Sequence, residues 1–459
     1  MRRLFWVISV GRVRQIELGK TSEYVRRCET LSCSTALRHM AGFIDYVAKL
    51  ENMALTGHVA PKLQYAPALD GEAGRELRRL VALSVRRDYG AFFTGSKLAE
   101  RVADRVPKCE TYWDPSCGAG DLLLAAARKL PIRPTLHMTI ELWSQRLGGY
   151  DIHAEFVRAT KARLVLLARS RGVFTEPYPA EALAASFPAI EVADALAIPN
   201  HSLTTRGILM NPPYFAREAP ATCRWGTGRI NVAALFVEDF LSRARPGANL
   251  IAIVPEVLRS GTNYRRWRKL IAEMSEKLKT KSVGLFDANA DVDVFLLTIT
   301  KKRENSNAVD GWPKSSLKGT RLDEQFEVSV GAVVPHRDMK NGSLRRFIDA
   351  KTAPSCGVVH RVKERRRFNG PVVKPPFVTI KRTSRPGDRL RAVPTLIKGT
   401  QPVAVENHLI VCRPKDGRLT SCVRLHRQLQ APTVSDWLNK TMRCRHLTVG
   451  AVKLIRLPV

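Results

Sequence analysis

The stretch GILMNPPY at residues 207–214 constrains the fold most, because a run of apolar residues stops there at two prolines. Proline has no amide hydrogen to donate to a strand ladder, and it drives the preceding residue to extended geometry. The pattern therefore predicts a buried strand that ends at a stiff corner, with Asn211 before Pro212 and Pro213 and with Tyr214 after them. These four residues alone support a rigid turn and a functional site equally well.

The chain as a whole divides into three regions that differ in their sequence patterns. Residues 89–304 alternate β-rich runs such as TYWD, NLIAIV and VFLLTIT with amphipathic helices such as EFVRATKARLVLLA, which predicts a mostly parallel sheet covered by helices. Residues 1–88 have the apolar spacing of helices, and residues 305–459 contain short strands broken by Gly, Pro and Asp. We predict an N-terminal helical region, a central α/β domain and a β-rich C-terminal domain with these bounds.

The net charge of +33 predicts a polyanionic partner, since clustered Lys and Arg gain affinity by displacing counterions from phosphates. Residues 301–459 contain 33 Lys and Arg against 12 Asp and Glu, a net charge of +21. An anionic membrane surface is the competing partner, but no run of 18 apolar residues is present to span a membrane. The opening MRRLFWVISVGRVR lacks the cleavage site of a signal peptide, so we expect a cytoplasmic protein.

The nine cysteines are odd in number and scattered, and no CxxC pair occurs among them. This spacing indicates neither a zinc site nor a disulfide framework. We expect free thiols and no bound metal.

A glycine-containing loop follows the first predicted strand in WDPSCGAGDLLLAA, residues 113–126. Gly118 and Gly120 allow a tight bend and a close approach of the backbone to a ligand. The loop lacks the third glycine of a dinucleotide fingerprint and the Gly-Lys-Ser/Thr of a phosphate-binding loop. Because it has an acid at its start and another at its end, it should repel pyrophosphate and suit a ligand with a cationic end.

Two further acids follow later β-rich segments. Asp151 lies at the predicted end of the second strand, where a carboxylate can accept both hydroxyls of a ribose. Asp194 follows a third short segment. Each acid could instead cap the N-terminus of a helix.

DPSCGAGDLL followed by NPPY resembles the S-adenosylmethionine-dependent adenine-N6 methyltransferases of DNA, in the motif order of the gamma class. YGAFFTGSKLAERVA resembles the segment that precedes the glycine motif, although Gly95 stands where the family commonly has proline. ALFVEDFLSRARPGANLIAIVP resembles the segment that follows the corner. The matches cover about residues 88–303 and imply a class I methyltransferase fold, Rossmann-like, with a seven-stranded mostly parallel sheet.

The resemblance implies S-adenosylmethionine as the cofactor and assigns residues to it. Thr94 is expected to reach the cofactor carboxylate, and Asp114 is expected to hold the methionine part together with the loop that contains Pro115, Gly118 and Gly120. Asp151 then takes the ribose hydroxyls and Asp194 the adenine amino group. The interval between Asp114 and Asp151 is long for one helix, which predicts an insertion.

The same resemblance implies how the corner works. The Asn211 side-chain oxygen and the Pro212 carbonyl accept the protons of adenine N6, so the nitrogen regains a usable lone pair, while Pro213 helps to fix both acceptors. Tyr214 and Phe286 offer rings to a base that is flipped out of the duplex. Phe286 could equally be a core residue.

The basic C-terminal part contains RVKERRRFNG and IKRTSRPGDRLR, in which Arg365, Arg366, Arg382 and Arg389 are candidate contacts to nucleic acid. The end of the chain resembles a target-recognition domain. We predict a site-specific DNA methyltransferase that acts on adenine in double-stranded DNA, as the modification component of a restriction–modification or phage-defence system.

Several alternatives remain open. Asn-Pro-Pro-Tyr also occurs in enzymes that methylate a glutamine of release factors and in related enzymes that modify ribosomal RNA. A cytosine-N4 methyltransferase and a non-catalytic DNA-binding subunit are further alternatives. No nuclease motif is evident, so any restriction activity is expected on a partner endonuclease or is absent.

Overall fold

The computed structural model describes residues 33–56, 62–107, 109–198, 204–286, 292–304, 306–308, 311–312, 317–339, 341–442 and 445–458. The chain divides into two compact units, of which the first is Met1–Asp104 with Lys108–His201 and the second is Arg105–Pro107 with Ser202–Val459. The opening segment MRRLFWVISVGRVR lies outside the described residues. The division into three domains that we predict from the sequence remains a prediction.

Helices open the described part of the first unit, as the sequence predicts. They are α1 (Cys33–Thr56), α2 (Lys62–Leu69), α3 (Glu72–Leu80), α4 (Leu83–Tyr89) and α5 (Ser96–Ala103). In α1 the side chains of Phe43, Val47, Leu50 and Ala54 are buried, at the three- and four-residue spacing of one helix face.

Three parallel strands complete the first unit. In chain order the elements are β1 (Tyr112–Asp114), α6 (Asp121–Ala127), α7 (Leu136–Ser144), β2 (Leu147–Asp151), α8 (Ala154–Gly172), α9 (Ala180–Ala185) and β3 (Ile190–Val192). Asp114 pairs with Gly149 and Asp151 pairs with Val192, so the loops after β1 and β2 leave the sheet at the same edge. Two helices, α6 and α7, lie between β1 and β2, which explains the long interval from Asp114 to Asp151.

The second unit begins with another α/β segment. Its elements are β4 (Gly207–Met210), β5 (Ala216–Glu218), β6 (Arg229–Asn231), α10 (Val232–Arg243), β7 (Asn249–Pro255), α11 (Glu256–Ser260), α12 (Arg265–Glu273), β8 (Ser275–Leu285) and β9 (Asp293–Lys301). β4 pairs with β7 in parallel, whereas β9 is antiparallel to both β7 and β8. The seven-stranded sheet has the order β3-β2-β1-β4-β7-β9-β8, and the predicted α/β class with a mostly parallel sheet is confirmed.

The basic C-terminal part is β-rich, as its sequence predicts. Its elements are β10 (Thr320–Arg321), α13 (Leu322–Gln325), β11 (Phe326–Val330), β12 (Leu344–Ile348), β13 (Val358–Val359), β14 (Arg365–Arg367), β15 (Phe377–Lys381), β16 (Pro394–Ile397), β17 (Val403–Val405), β18 (Leu409–Pro414), α14 (Leu419–Gln428), α15 (Pro432–Thr441), α16 (Val449–Lys453) and β19 (Arg456–Leu457). The sheet orders are β11-β18-β15-β16-β13 and β14-β12-β17. β10 pairs with β19, so the two ends of this part are hydrogen-bonded to each other.

Among the described helices, none combines the length and the apolar character that crossing a membrane requires. Within the same residues, no group of three or more His, Cys, Asp and Glu side chains is arranged to hold a metal ion.

Candidate functional site

The glycine loop lies in the first unit, between the end of β1 and the start of α6. Gly118 has φ +52° and Gly120 has φ +88°, backbone conformations that side chains with a Cβ rarely adopt. A Cβ on Gly118 would lie 3.0 Å from Cε1 of Phe93, and one on Gly120 would lie 2.9 Å from Thr160 Cγ2. Both positions therefore require glycine, for backbone geometry and for space.

Asp151 holds this loop in place. Its Oδ2 accepts a hydrogen bond from Gly118 N at 3.0 Å, and its Oδ1 accepts one from His153 N at 2.9 Å. On the other side of the loop, Thr160 Oγ1 donates to the Gly118 carbonyl at 2.8 Å. The N-cap of α8 is His153 and not Asp151, so the simple helix-cap interpretation of Asp151 does not describe this site.

The loop surrounds an acidic site. Asp114 is buried, and its Oδ1 accepts from Ser116 N at 3.0 Å. Burial, reinforced by the nearby charges of Asp151 and Asp121, raises the pKa of Asp114 to about 8. Burial also raises the pKa of Asp151. Because burial disfavours the ionised form of both carboxyls, a cationic ligand group would stabilise both as carboxylates.

Asp121, the acid at the end of the loop, does not face a ligand as the sequence argument assumed. It is buried and forms an ion pair with Arg163 at 3.0 Å, and its Oδ2 accepts from Gly95 N at 2.7 Å. Arg163, itself buried, donates to the carbonyls of Ala68 and Ala119. Our inference that this acid repels pyrophosphate is therefore wrong, since Arg163 neutralises it. The sequence signal that we overlooked is an arginine within the apolar face of α8.

The other candidate cofactor residues of the first unit are Pro115, Thr94 and Asp194. Pro115 is buried directly after β1, and Thr94 is half-buried in the segment before α5. The bond from Gly95 to Asp121 ties that segment to the glycine loop. Asp194 follows β3, and its Oδ1 accepts from Leu196 N at 3.0 Å. The ligand contacts of these residues remain predictions.

The corner lies in the second unit, at the carboxyl end of β4. All four residues of β4 are buried, and the strand ends as Asn211 enters the proline pair. Tyr214 Oη donates to Asn211 Oδ1 at 2.6 Å and lies 3.2 Å from the Ile253 carbonyl of β7. The ring of Phe286 meets that of Tyr214 edge-on, with centroids 5.8 Å apart. Phe286 is half-buried and lies directly after β8, so it is not enclosed in a core.

A residue that sequence reasoning missed, Asn231, fixes the far end of the corner. Its Nδ2 donates to the Tyr214 carbonyl at 2.7 Å, while its Oδ1 accepts from Ala233 N at 3.0 Å and so caps α10. Val232 N donates to the Phe215 carbonyl at 3.0 Å. The available signal was an asparagine directly before a strongly apolar helix.

The four candidate arginines of the C-terminal part have different environments. Arg365 and Arg389 are exposed and accessible to phosphates. Arg366 is buried, donates to the Asp338 carbonyl at 2.8 Å and lies over the ring of Phe347. Arg382 is half-buried and donates to the Asn407 carbonyl at 2.9 Å. Arg366 therefore has a structural role, and we do not retain it among the proposed contacts to nucleic acid.

A cationic cluster that the sequence did not single out surrounds Arg365. Arg346 of β12 lies opposite Arg365 of β14 in the antiparallel register, so the two side chains share one face. The pKa of Arg346 is lowered by partial burial and by the neighbouring charges of Arg361 and Arg365. We call these three arginines the β12–β14 cluster. An anionic partner would relieve its internal repulsion.

The sequence matches no protein-family model and no curated protein. The fold, however, resembles that of the type IIL restriction–modification enzyme MmeI, solved in complex with DNA. The TM-score is 0.53 at 11% identity over 83% of this chain and 70% of MmeI. Because this identity is so low, the similarity shows a shared fold.

Two other solved structures are more distant. The type IIG restriction endonuclease BpuSI has a TM-score of 0.40 at 14% identity over 84% of this chain and 62% of BpuSI. The methyltransferase subunit of a type I restriction–modification system from Streptococcus thermophilus has a TM-score of 0.36 at 16% identity. That match covers 54% of this chain and 52% of the subunit, so the chain spans about half its length.

Proposed function

We propose that this protein is a site-specific DNA methyltransferase that moves a methyl group from S-adenosylmethionine to N6 of an adenine flipped out of double-stranded DNA. The observation that carries the proposal is the corner at the end of β4. Asn211 stands there beside two prolines, with its side-chain oxygen fixed by a hydrogen bond from Tyr214 at 2.6 Å. The MmeI fold, from an enzyme solved with DNA, supports the same class of reaction.

The residues of the glycine loop fit the proposed cofactor. S-adenosylmethionine carries an ammonium and a sulfonium, and the pKa values of the buried Asp114 and the half-buried Asp151 are both raised by desolvation. A cationic ligand lowers these pKa values and gains charge-assisted contacts. Gly118 and Gly120 keep side chains away from the path of the loop. When bound, the cofactor supplies an electrophilic methyl group.

The corner supplies fixed acceptors for an exocyclic amine. An amine conjugated to a ring is a weak nucleophile because its lone pair is delocalised. Hydrogen bonds from its two protons to Asn211 Oδ1 and to the Pro212 carbonyl would draw the nitrogen toward tetrahedral geometry. The two prolines fix the backbone that carries the Pro212 carbonyl, and the Tyr214 hydroxyl donates to Asn211 Oδ1, so little ordering is needed during the reaction.

The aromatic rings and the arginines are the residues that would contact the base and the phosphates of the nucleic acid. Tyr214 presents a ring on which an extruded base can stack, and Phe286 supports that ring edge-on. Arg361 and Arg365 of the β12–β14 cluster, together with Arg389, offer exposed charge to phosphates, in the part of the chain with a net charge of +21. We propose that residues 305–459 are the target-recognition domain and that the protein is the modification component of a restriction–modification or phage-defence system.

One experiment tests the proposal and its alternatives together. The protein is incubated with methyl-labelled S-adenosylmethionine and, separately, with DNA, RNA or a protein extract, and the products are digested and analysed by mass spectrometry. N6-methyl-2′-deoxyadenosine in the DNA digest supports the proposal. Label in N4-methylcytosine, in RNA or in glutamine would replace it with the corresponding alternative, and no transfer to any acceptor would refute an enzymatic role.

A further inference from the structure

The Tyr214 hydroxyl lies between two oxygen acceptors. Asn211 Oδ1 is 2.6 Å away and the Ile253 carbonyl is 3.2 Å away. A phenol has one proton to donate, so the shorter bond to Asn211 is the principal one. Ile253 belongs to β7, which pairs with β4, so the hydroxyl stands where the corner meets the neighbouring strand.

The prolines cannot determine which way the Asn211 amide faces. An asparagine amide ends in an oxygen and an NH₂ group of similar size, and its terminal torsion has two broad, roughly equivalent orientations. In one orientation the oxygen accepts a proton from a substrate amine. In the other orientation, the Asn211 NH₂ group faces the substrate amine, and the amine has no side-chain oxygen to which it can donate a proton. Pro212 and Pro213 restrict the backbone but do not act on this side-chain torsion.

We propose that the Tyr214 hydroxyl is a positioning group that holds the Asn211 amide in its reactive orientation, a role separate from the stacking of the Tyr214 ring. The inference rests on the proposed function. The Asn211 oxygen has two lone pairs, so it can accept the phenol proton and still accept one proton of the substrate amine. The hydroxyl transfers no proton to the substrate and forms no bond with it.

The surroundings of Tyr214 separate the two roles. The backbone is held by Asn231, whose Nδ2 donates to the Tyr214 carbonyl at 2.7 Å, and the ring is supported by the edge of Phe286. Neither contact involves the hydroxyl, so phenylalanine at this position keeps the ring in place. Burial raises the pKa of the Tyr214 hydroxyl well above its ordinary value, so it remains a donor at every working pH.

The test compares Tyr214→Phe and Tyr214→Ala with the wild type in the full-length protein. Three quantities are measured: the single-turnover rate of methyl transfer, the affinity for S-adenosylmethionine, and the fluorescence of 2-aminopurine at the target position as a report of base flipping. Tyr46→Phe is the matched control, since it removes a hydroxyl that donates to Glu72 at 3.1 Å and lies outside the proposed machinery.

Loss of one positioning hydrogen bond should slow methyl transfer by Tyr214→Phe about tenfold, with cofactor affinity and base flipping within about twofold of wild type. Tyr214→Ala should lose base flipping as well, and Tyr46→Phe should match the wild-type rate. The inference is overturned if Tyr214→Phe transfers methyl groups at the wild-type rate, or if its rate falls only in proportion to flipping or cofactor affinity. A wild-type protein that methylates no nucleic acid would instead refute the proposed function.

Discussion

Replacing Asp114 by asparagine should stabilise the free protein at neutral and alkaline pH, even though it removes a candidate ligand group. The Asp114 carboxyl is 1% exposed, and burial raises its pKa to about 8. Asparagine keeps an oxygen that can accept the hydrogen bond from Ser116 N, now 3.0 Å from Oδ1, and it never ionises. The wild-type protein must either keep this carboxyl protonated or bury a charge.

The sign and size of the effect follow from proton linkage. The pKa of Asp114 is 3.8 as an ordinary carboxyl and about 8 in the folded protein. Between these values the folded state binds one more proton than the unfolded state, so the free energy of unfolding falls as pH rises, by about 1.4 kcal/mol per pH unit. The loss begins above pH ~4, is complete near pH ~8, and amounts in total to about 6 kcal/mol.

The assay is urea unfolding of the wild type and of Asp114→Asn at intervals from pH 5 to pH 9. The difference between the two free energies of unfolding should shift steadily in favour of the variant up to pH ~8 and then level off. Asp416→Asn is the control, because hydrogen bonds from Ser421 and Arg418 lower the pKa of the exposed Asp416 carboxyl. The ionised Asp416 carboxyl already provides its full stabilisation at any pH above the ordinary pKa of an aspartate. The difference in free energy of unfolding between Asp416→Asn and the wild type should therefore stay constant from pH 5 to pH 9. A flat curve for Asp114→Asn would refute the reasoning.

Four further outcomes are expected. Asn211→Ala should raise the activation free energy of methyl transfer by about 3–4 kcal/mol, whereas the affinity for S-adenosylmethionine, measured by calorimetry, should be unchanged. Gly118→Val should lower both thermal stability and cofactor affinity, since φ is +52° and a Cβ at this position would lie 3.0 Å from the Phe93 ring. Arg365→Gln should reduce the slope of log affinity for DNA against log salt by about 0.9, whereas Arg366→Gln should reduce stability. Arg163→Ala should destabilise the protein by about 3–5 kcal/mol in urea unfolding, since Asp121 would lose its buried partner.

The sequence predicted the elements that have strong local signals. The proline pair ends β4 at Met210, directly before Asn211; the small residues after β1 form the glycine loop, and α6 begins at Asp121. In each case the signal is a property of the backbone, either a missing donor or a tolerated positive φ, and it acts independently of tertiary structure. Elements of this kind can be read from one sequence.

The contacts that complete the site could not be read in this way. Arg163 is 42 residues from Asp121 in sequence, and Asn231 is 17 residues from Tyr214, so only the folded chain brings each pair together. Arg366 has the same local sequence as Arg365, and the alternation of a strand sends one side chain inward and the other outward. Charge density indicated a basic surface but not which arginines form it.

The C-terminal part also supports the strand next to the corner, which limits what a truncation can show. Glu256 follows β7 directly and pairs with Arg259 at 2.6 Å, both buried, and Arg259 donates to the Lys440 carbonyl in α15. Trp312 packs against Trp267 with ring centroids 5.8 Å apart. A chain ending near residue 304 would leave the Arg259 guanidinium without that carbonyl and would uncover Trp267. Loss of methyl transfer in such a chain would therefore not show where DNA is recognised. Substitutions of Arg361 and Arg365, the exposed members of the β12–β14 cluster, leave these buried contacts intact and so separate recognition from support.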